Sequence, residues 1–123
     1  MIEKGSNKII LDAYNANPGS MVSAIQNFAK IKNDNKVLML GAMAELGKDS
    51  LYEHQSIINL INEYSWNKVV LVGGDFMNIN HNFLKFKTTQ QAKDWFIKQD
   101  FQHTSFLIKG SRNIEMEKII ELN

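Results

Sequence analysis

Residues 36–72 read KVLMLGAMAELGKDSLYEHQSIINLINEYSWNKVVLV, and this stretch decides the fold. It opens on Lys36-Val37-Leu38-Met39-Leu40 and closes on Lys68-Val69-Val70-Leu71-Val72, two almost unbroken apolar runs of strand length. Runs without polar alternation are expected of strands covered on both faces. Between them Leu51, His54, Ile57, Ile58 and Ile61 recur at helical spacing, which predicts one amphipathic helix. Strand, helix, strand is the unit of a parallel sheet, because parallel neighbours need a long crossover.

Working outward, Lys8-Ile9-Ile10-Leu11-Asp12 repeats the strand pattern and is followed by a second stripe, Met21, Ala24, Ile25 and Phe28. On the other side, Leu84-Lys85-Phe86-Lys87 alternates and suits an edge strand, Ala92, Trp95 and Phe96 form a third stripe, and Ser105-Phe106-Leu107-Ile108 is a further buried strand. Met116, Ile119 and Ile120 give a fourth stripe. Helix starts are signalled by Asn17-Pro18 and by capping boxes read at Ser50-Leu51-Tyr52-Glu53 and Thr88-Thr89-Gln90-Gln91. With right-handed crossovers, the pattern predicts an α/β fold: a three-layer Rossmann-like sandwich with four helices and a mostly parallel sheet of five to six strands. At 123 residues, one domain over 1–123 is expected.

Composition removes several function classes. Lys and Arg number 14 against 13 Asp and Glu, so no broad positive field exists to bind nucleic acid, and Lys85 and Lys87 read as a solvated face. The absence of cysteine excludes disulfides and thiolate chemistry. No apolar run approaches the roughly 20 residues of a membrane span and no signal peptide is visible, so a cytoplasmic protein without membrane insertion is expected. His54, His81 and His103 lack metal-ligand spacing and read as structural or exposed, and Trp66, Trp95, Phe96 and Phe101 read as core or its margin.

In open α/β sheets, ligands gather beyond the carboxyl ends of the strands, which directs attention to residues 12–20, 41–49, 73–80 and 109–113. The first loop carries Asp12, Tyr14, Asn15, Asn17 and Ser20, more polarity than a turn requires. A carboxylate there can accept from ribose hydroxyls and amides can pair with a heterocycle, while Asn17 also reads as a helix cap. Residues 41–49 and Gly73-Gly74-Asp75 lack a phosphate-loop or dinucleotide fingerprint, so a complete nucleotide site is not expected. Lys109, Ser111 and Arg112 would suit a carboxylate or phosphate, or form a turn capped by Ser111 or Asn113. No metal site, general-acid pair or nucleophilic triad can be assembled.

The segment Asp12-x-Tyr14-Asn15-Ala16-Asn17-Pro18-x-Ser20-Met21 resembles the opening of the C-terminal domain of the UDP-N-acetylmuramoyl-tripeptide–D-alanyl-D-alanine ligases, a branch of the Mur ligases. Leu40-Gly41-x-Met43-x-Glu45-Leu46-Gly47 with His54, and Lys109-Gly110-Ser111-Arg112 with Met116-Glu117, are similar to two further motifs of that family in the same order. Ala42 departs from the family's aspartate.

The resemblance implies a substrate-side domain whose uridine-binding and ATPase partner domains lie outside this chain. It implies ATP-dependent amide formation through an acyl phosphate, with ATP and Mg2+ used by the full enzyme and none bound tightly by this domain alone, which is expected to be inactive in isolation. It implies ATP contacts for Asp12, Asn15 and Asn17, and contacts on the D-alanyl-D-alanine or acyl-phosphate side for Tyr14, Ser20, Lys109, Ser111 and Arg112. UDP-N-acetylmuramoyl-tripeptide and the remaining domains of the enzyme are the implied partners. The alternative is a non-catalytic α/β binding or regulatory module; a receiver-like version is disfavoured by Gly73 where a central aspartate would be needed.

Overall fold

The computed structural model describes residues 1–121. Its strands are β1 (Ile2–Lys4), β2 (Asn7–Asp12), β3 (Lys36–Gly41), β4 (Lys68–Val72), β5 (Leu84–Phe86) and β6 (Ser105–Lys109), and its α-helices are α1 (Pro18–Ala29), α2 (Ser50–Ile61) and α3 (Thr89–Gln99). They form one six-stranded sheet in the order β1-β2-β6-β3-β4-β5, parallel except for the antiparallel edge strand β1.

Alternating side chains of the central strands supply two cores. On one face Leu38, Leu40, Leu71 and Leu107 meet Met21, Ile25 and Phe28 of α1 and Ile57, Ile58 and Ile61 of α2. On the other, Val37, Met39, Val70, Phe106 and Ile108 meet Ala92 of α3 with Met116 and Ile119. The expected three layers are therefore present, because unbroken apolar strands have two faces to cover. Trp66 stacks on Phe28 at 5.8 Å between ring centres, while Phe96 and Phe101 pack edge-on against Phe106.

Several local expectations change. Ile2–Lys4 forms a strand too short for a pattern to reveal, turned back by Gly5 at φ +59°. In β2 only Ile9 is fully buried, since the strand lies next to the edge. Leu51 is half exposed rather than part of the α2 stripe. The Ser50 box does not form: Asp49 precedes α2 without a side-chain cap bond, a 3-10 turn (Gly47–Asp49) leads into it, and the Ser50 side chain lies against His54 Nδ1 at 3.3 Å. At α3, Thr88 accepts from the Gln91 amide as expected, but the Gln91 side chain returns to the amide of Lys87. The fourth stripe is no α-helix: Arg112–Ile114 and Met116–Ile119 are 3-10 turns, separated by Glu115 at φ +59°.

Candidate functional site

β6 inserts between β2 and β3, so two loops 97 residues apart leave the sheet side by side. After β2 the chain enters α1 on one face of the sheet, whereas after β6 it enters the turns carrying Met116 and Ile119 on the other. Diverging connections open a crevice beyond the carboxyl ends of neighbouring strands, the place where open α/β sheets receive ligands. Asp12 and Lys109 are register partners at its floor.

Their side chains are joined. Lys109 Nζ donates to Asp12 Oδ2 at 2.7 Å and to the Asn15 carbonyl at 3.0 Å. The ammonium side is buried, while the Asp12 side chain is 52% exposed. Lys109 is thus placed differently from the open cation that the sequence suggested: it sits beneath the loop and ties it down. Arg112 is exposed, with its guanidinium carbon 5.2 Å from the centre of the exposed Tyr14 ring, a cation–π contact between the two loops.

Asn17 is the N-cap of α1. Its side chain accepts from the Ser20 amide at 2.9 Å and the Ser20 hydroxyl accepts from the Asn17 amide at 3.1 Å, a reciprocal box with Pro18 at the first helical position. Both side chains are occupied in shaping the loop, while Asn15 is exposed. Ser111 is buried: its amide donates to the Ala42 carbonyl at 3.1 Å and its hydroxyl to Asn113 Oδ1 at 2.5 Å.

The loop after β3 meets the turn after β6, where the Ala42 carbonyl accepts from the Ser111 amide, and sequence reasoning missed how it is held. The Met43 amide donates to His54 Nε2 at 3.0 Å, so that nitrogen carries no proton; the ring proton lies on Nδ1 and is donated to the Ser50 carbonyl at 2.7 Å. His54 is a fully buried clasp between α2 and this loop. Small residues allow the loops to meet. A Cβ on Gly110 would stand 3.0 Å from Gly41 Cα and 2.8 Å from Met116 Cγ, and one on Gly74 would stand 2.4 Å from Ala42 Cβ. The detectable signal was glycine at or just past the end of three strands, at Gly41, Gly73 and Gly110.

Among the described residues no cluster of three or more His, Cys, Asp or Glu is disposed to hold a metal, and no helix is long and apolar enough to cross a membrane. A cavity of about 450 Å³ lies at the opposite end of the strands, among residues such as Lys8, Phe28, Thr104 and Phe106, and joins none of the polar loops above.

A family model described as Mur ligase, glutamate ligase domain, matches residues 1–112. The chain belongs to the Mur ligase family. The UDP-N-acetylmuramoyl-tripeptide–D-alanyl-D-alanine ligases of Buchnera aphidicola and Rickettsia prowazekii are 37% and 32% identical to this Mur ligase domain, each alignment covering 94% of it. The chain spans about a quarter of the length of those relatives, 26% and 27%. MurF from Acinetobacter baumannii superposes with a TM-score of 0.81 at 31% identity, covering 97% of this chain and 28% of that one. MurF from Thermotoga maritima, solved in complex with ADP, gives a TM-score of 0.82 with the same coverage, and at 23% identity supports the fold alone. The Mur ligase domain described here thus corresponds to the C-terminal domain of MurF-type ligases.

Proposed function

We propose that this domain is the substrate-side part of a cytoplasmic ATP-dependent ligase that joins D-alanyl-D-alanine to UDP-N-acetylmuramoyl-tripeptide. The observation that carries the reading is the crevice between β2 and β6, where Asp12, Asn15, Tyr14 and Arg112 converge from two loops on a chain whose relatives bear that ligase name. ATP, in the complete enzyme, supplies the activation of the tripeptide carboxyl as an acyl phosphate.

The residues present fit a share of that work. Asp12, with its side chain half exposed, is suited to accept from a ribose hydroxyl, and Asn15, exposed on the same loop, is suited to the adenine or phosphates. Asn17 and Ser20 fix the loop through the cap rather than by contact. Arg112, the exposed cation of the 109–113 loop, is suited to the dipeptide carboxylate because its guanidinium offers a planar fork of donors. Tyr14 forms the apolar wall beneath it, and Ser111 holds the turn that presents it. The reading assigns the magnesium of the complete enzyme to its other domains. The contribution here is positioning and exclusion of water, with proton transfer and charge stabilisation supplied by the partner domains.

The test is a chimera in which this chain replaces the corresponding C-terminal domain of the Buchnera aphidicola relative. It is expected to form the dipeptide-extended product from ATP, magnesium, UDP-N-acetylmuramoyl-tripeptide and D-alanyl-D-alanine. Arg112→Ala should raise the KM for the dipeptide by roughly 10- to 100-fold, the range of a charge-assisted hydrogen bond. A folded, ATP-binding chimera that forms no product sinks the proposal; unchanged dipeptide saturation removes the Arg112 role.

A further inference from the structure

Lys109 is 1% exposed, out of reach of a ligand entering the crevice, yet it carries the charge most costly to bury there. Strand alternation puts it on the α1 face with Leu107, beneath the residue 12–17 loop and near the positive end of the α1 dipole. Among the described residues Asp12 is its sole ion-pair partner, at 2.7 Å, and the Asn15 carbonyl accepts from it as well. Only Oδ2 of Asp12 is engaged; Oδ1 receives no hydrogen bond from the described residues, and the side chain is half exposed.

We infer that Lys109 is a positioning residue: it fixes one oxygen of Asp12 and the backbone of Asn15 so that the other Asp12 oxygen is presented to a ligand hydroxyl, and it makes no ligand contact itself. This rests on the ribose reading of Asp12 above. Two consequences follow from the charges. The pair is neutral and adds no net attraction for anionic groups, unlike Arg112 on the same loop. Asp12 also has a second duty, because Asp12→Ala would strand a buried ammonium and cost stability together with binding. Lys109→Met is the cleaner variant: it keeps the apolar stem and releases Asp12 to water.

The test is NMR on the isotopically labelled chain, with ATP as the probe at millimolar concentration. The Lys109 ammonium should be visible through slow exchange and should barely move during the titration, while backbone amides of residues 12–17 shift. In Lys109→Met the sheet amides should stay in place, the 13–17 segment should become more mobile, and the apparent affinity for ATP should fall about tenfold, the scale of one net hydrogen bond. Lys109→Arg should restore most of it. A Lys109 ammonium that shifts as strongly as the loop amides, or a Lys109→Met chain with unchanged loop mobility, overturns the inference. If no amide responds to ATP, the ribose reading of this chain fails, whereas ammonium exchange and loop mobility still decide whether Lys109 positions the loop. If Lys109→Met does not fold, the wild-type ammonium titration and the loop relaxation of Lys109→Arg decide between positioning and contact.

Discussion

At the scale of single residues, the groups behind the crevice set its shape by hydrogen bonds that have definite protonation states. His54 holds the Met43 amide through Nε2, and the nearby Asp75 is held by hydrogen bonds of its own. The Ser50 hydroxyl first, and then the Asn78 amide at 2.9 Å, keep the Asp75 carboxyl below its ordinary value, against a smaller opposing effect of burial. A carboxyl depressed by folding adds stability above its unfolded value and loses it as pH falls through the folded one, which places the loss below about pH 4. Urea unfolding between pH 3 and 6 should therefore show wild type more stable than Asp75→Asn at the upper end, with the gap closing toward pH 3. Parallel curves would mean that the carboxylate charge is not responsible.

At the scale of elements, the three α-helices begin in three different ways. α1 has the reciprocal Asn17–Ser20 box, α3 has Thr88 with a return bond displaced to Lys87, and α2 has no side-chain cap. The α1 cap matters twice, since it starts a helix and shapes the loop above Lys109. Asn17→Ala should cost about 1 kcal/mol, read as a lower urea midpoint with an unchanged slope. A loss within a few tenths would show that solvent replaces the cap without penalty. The last stripe is not an α-helix: left-handed Glu115 precedes Met116, which lies over Gly41 and Gly110, and a 3-10 turn follows.

At the scale of the molecule, the crevice exists because β6 is the inner neighbour of both β2 and β3. That insertion needs near contact of backbones at the strand ends, with Gly110 against Gly41 under Met116. Gly110→Ala should destabilise the domain by about 1–3 kcal/mol, the usual cost of overpacking, and speed amide exchange at Ser111 and Ala42 before that of the strand centres. A melting temperature equal to wild type would show that Met116 yields freely and that the close approach is incidental.

The amino-acid sequence by itself determined the types of the main elements, because side-chain period reports local backbone geometry: unbroken apolar runs gave β3, β4 and β6, and 3.6-residue stripes gave α1, α2 and α3. It also marked the polar loops after β2 and β6 and the capping role of Asn17, since these depend on neighbours a few residues away. Only the tertiary structure decided which strands adjoin. Periodicity says which face is covered and nothing about which strand pairs with which, so the contact across 97 residues that buries Lys109 against Asp12 was not legible, nor was the His54 bond to Met43. Lys109 read as an open cation for the same reason: whether a charge at a strand end meets water or another loop is settled by the order of strands in the sheet.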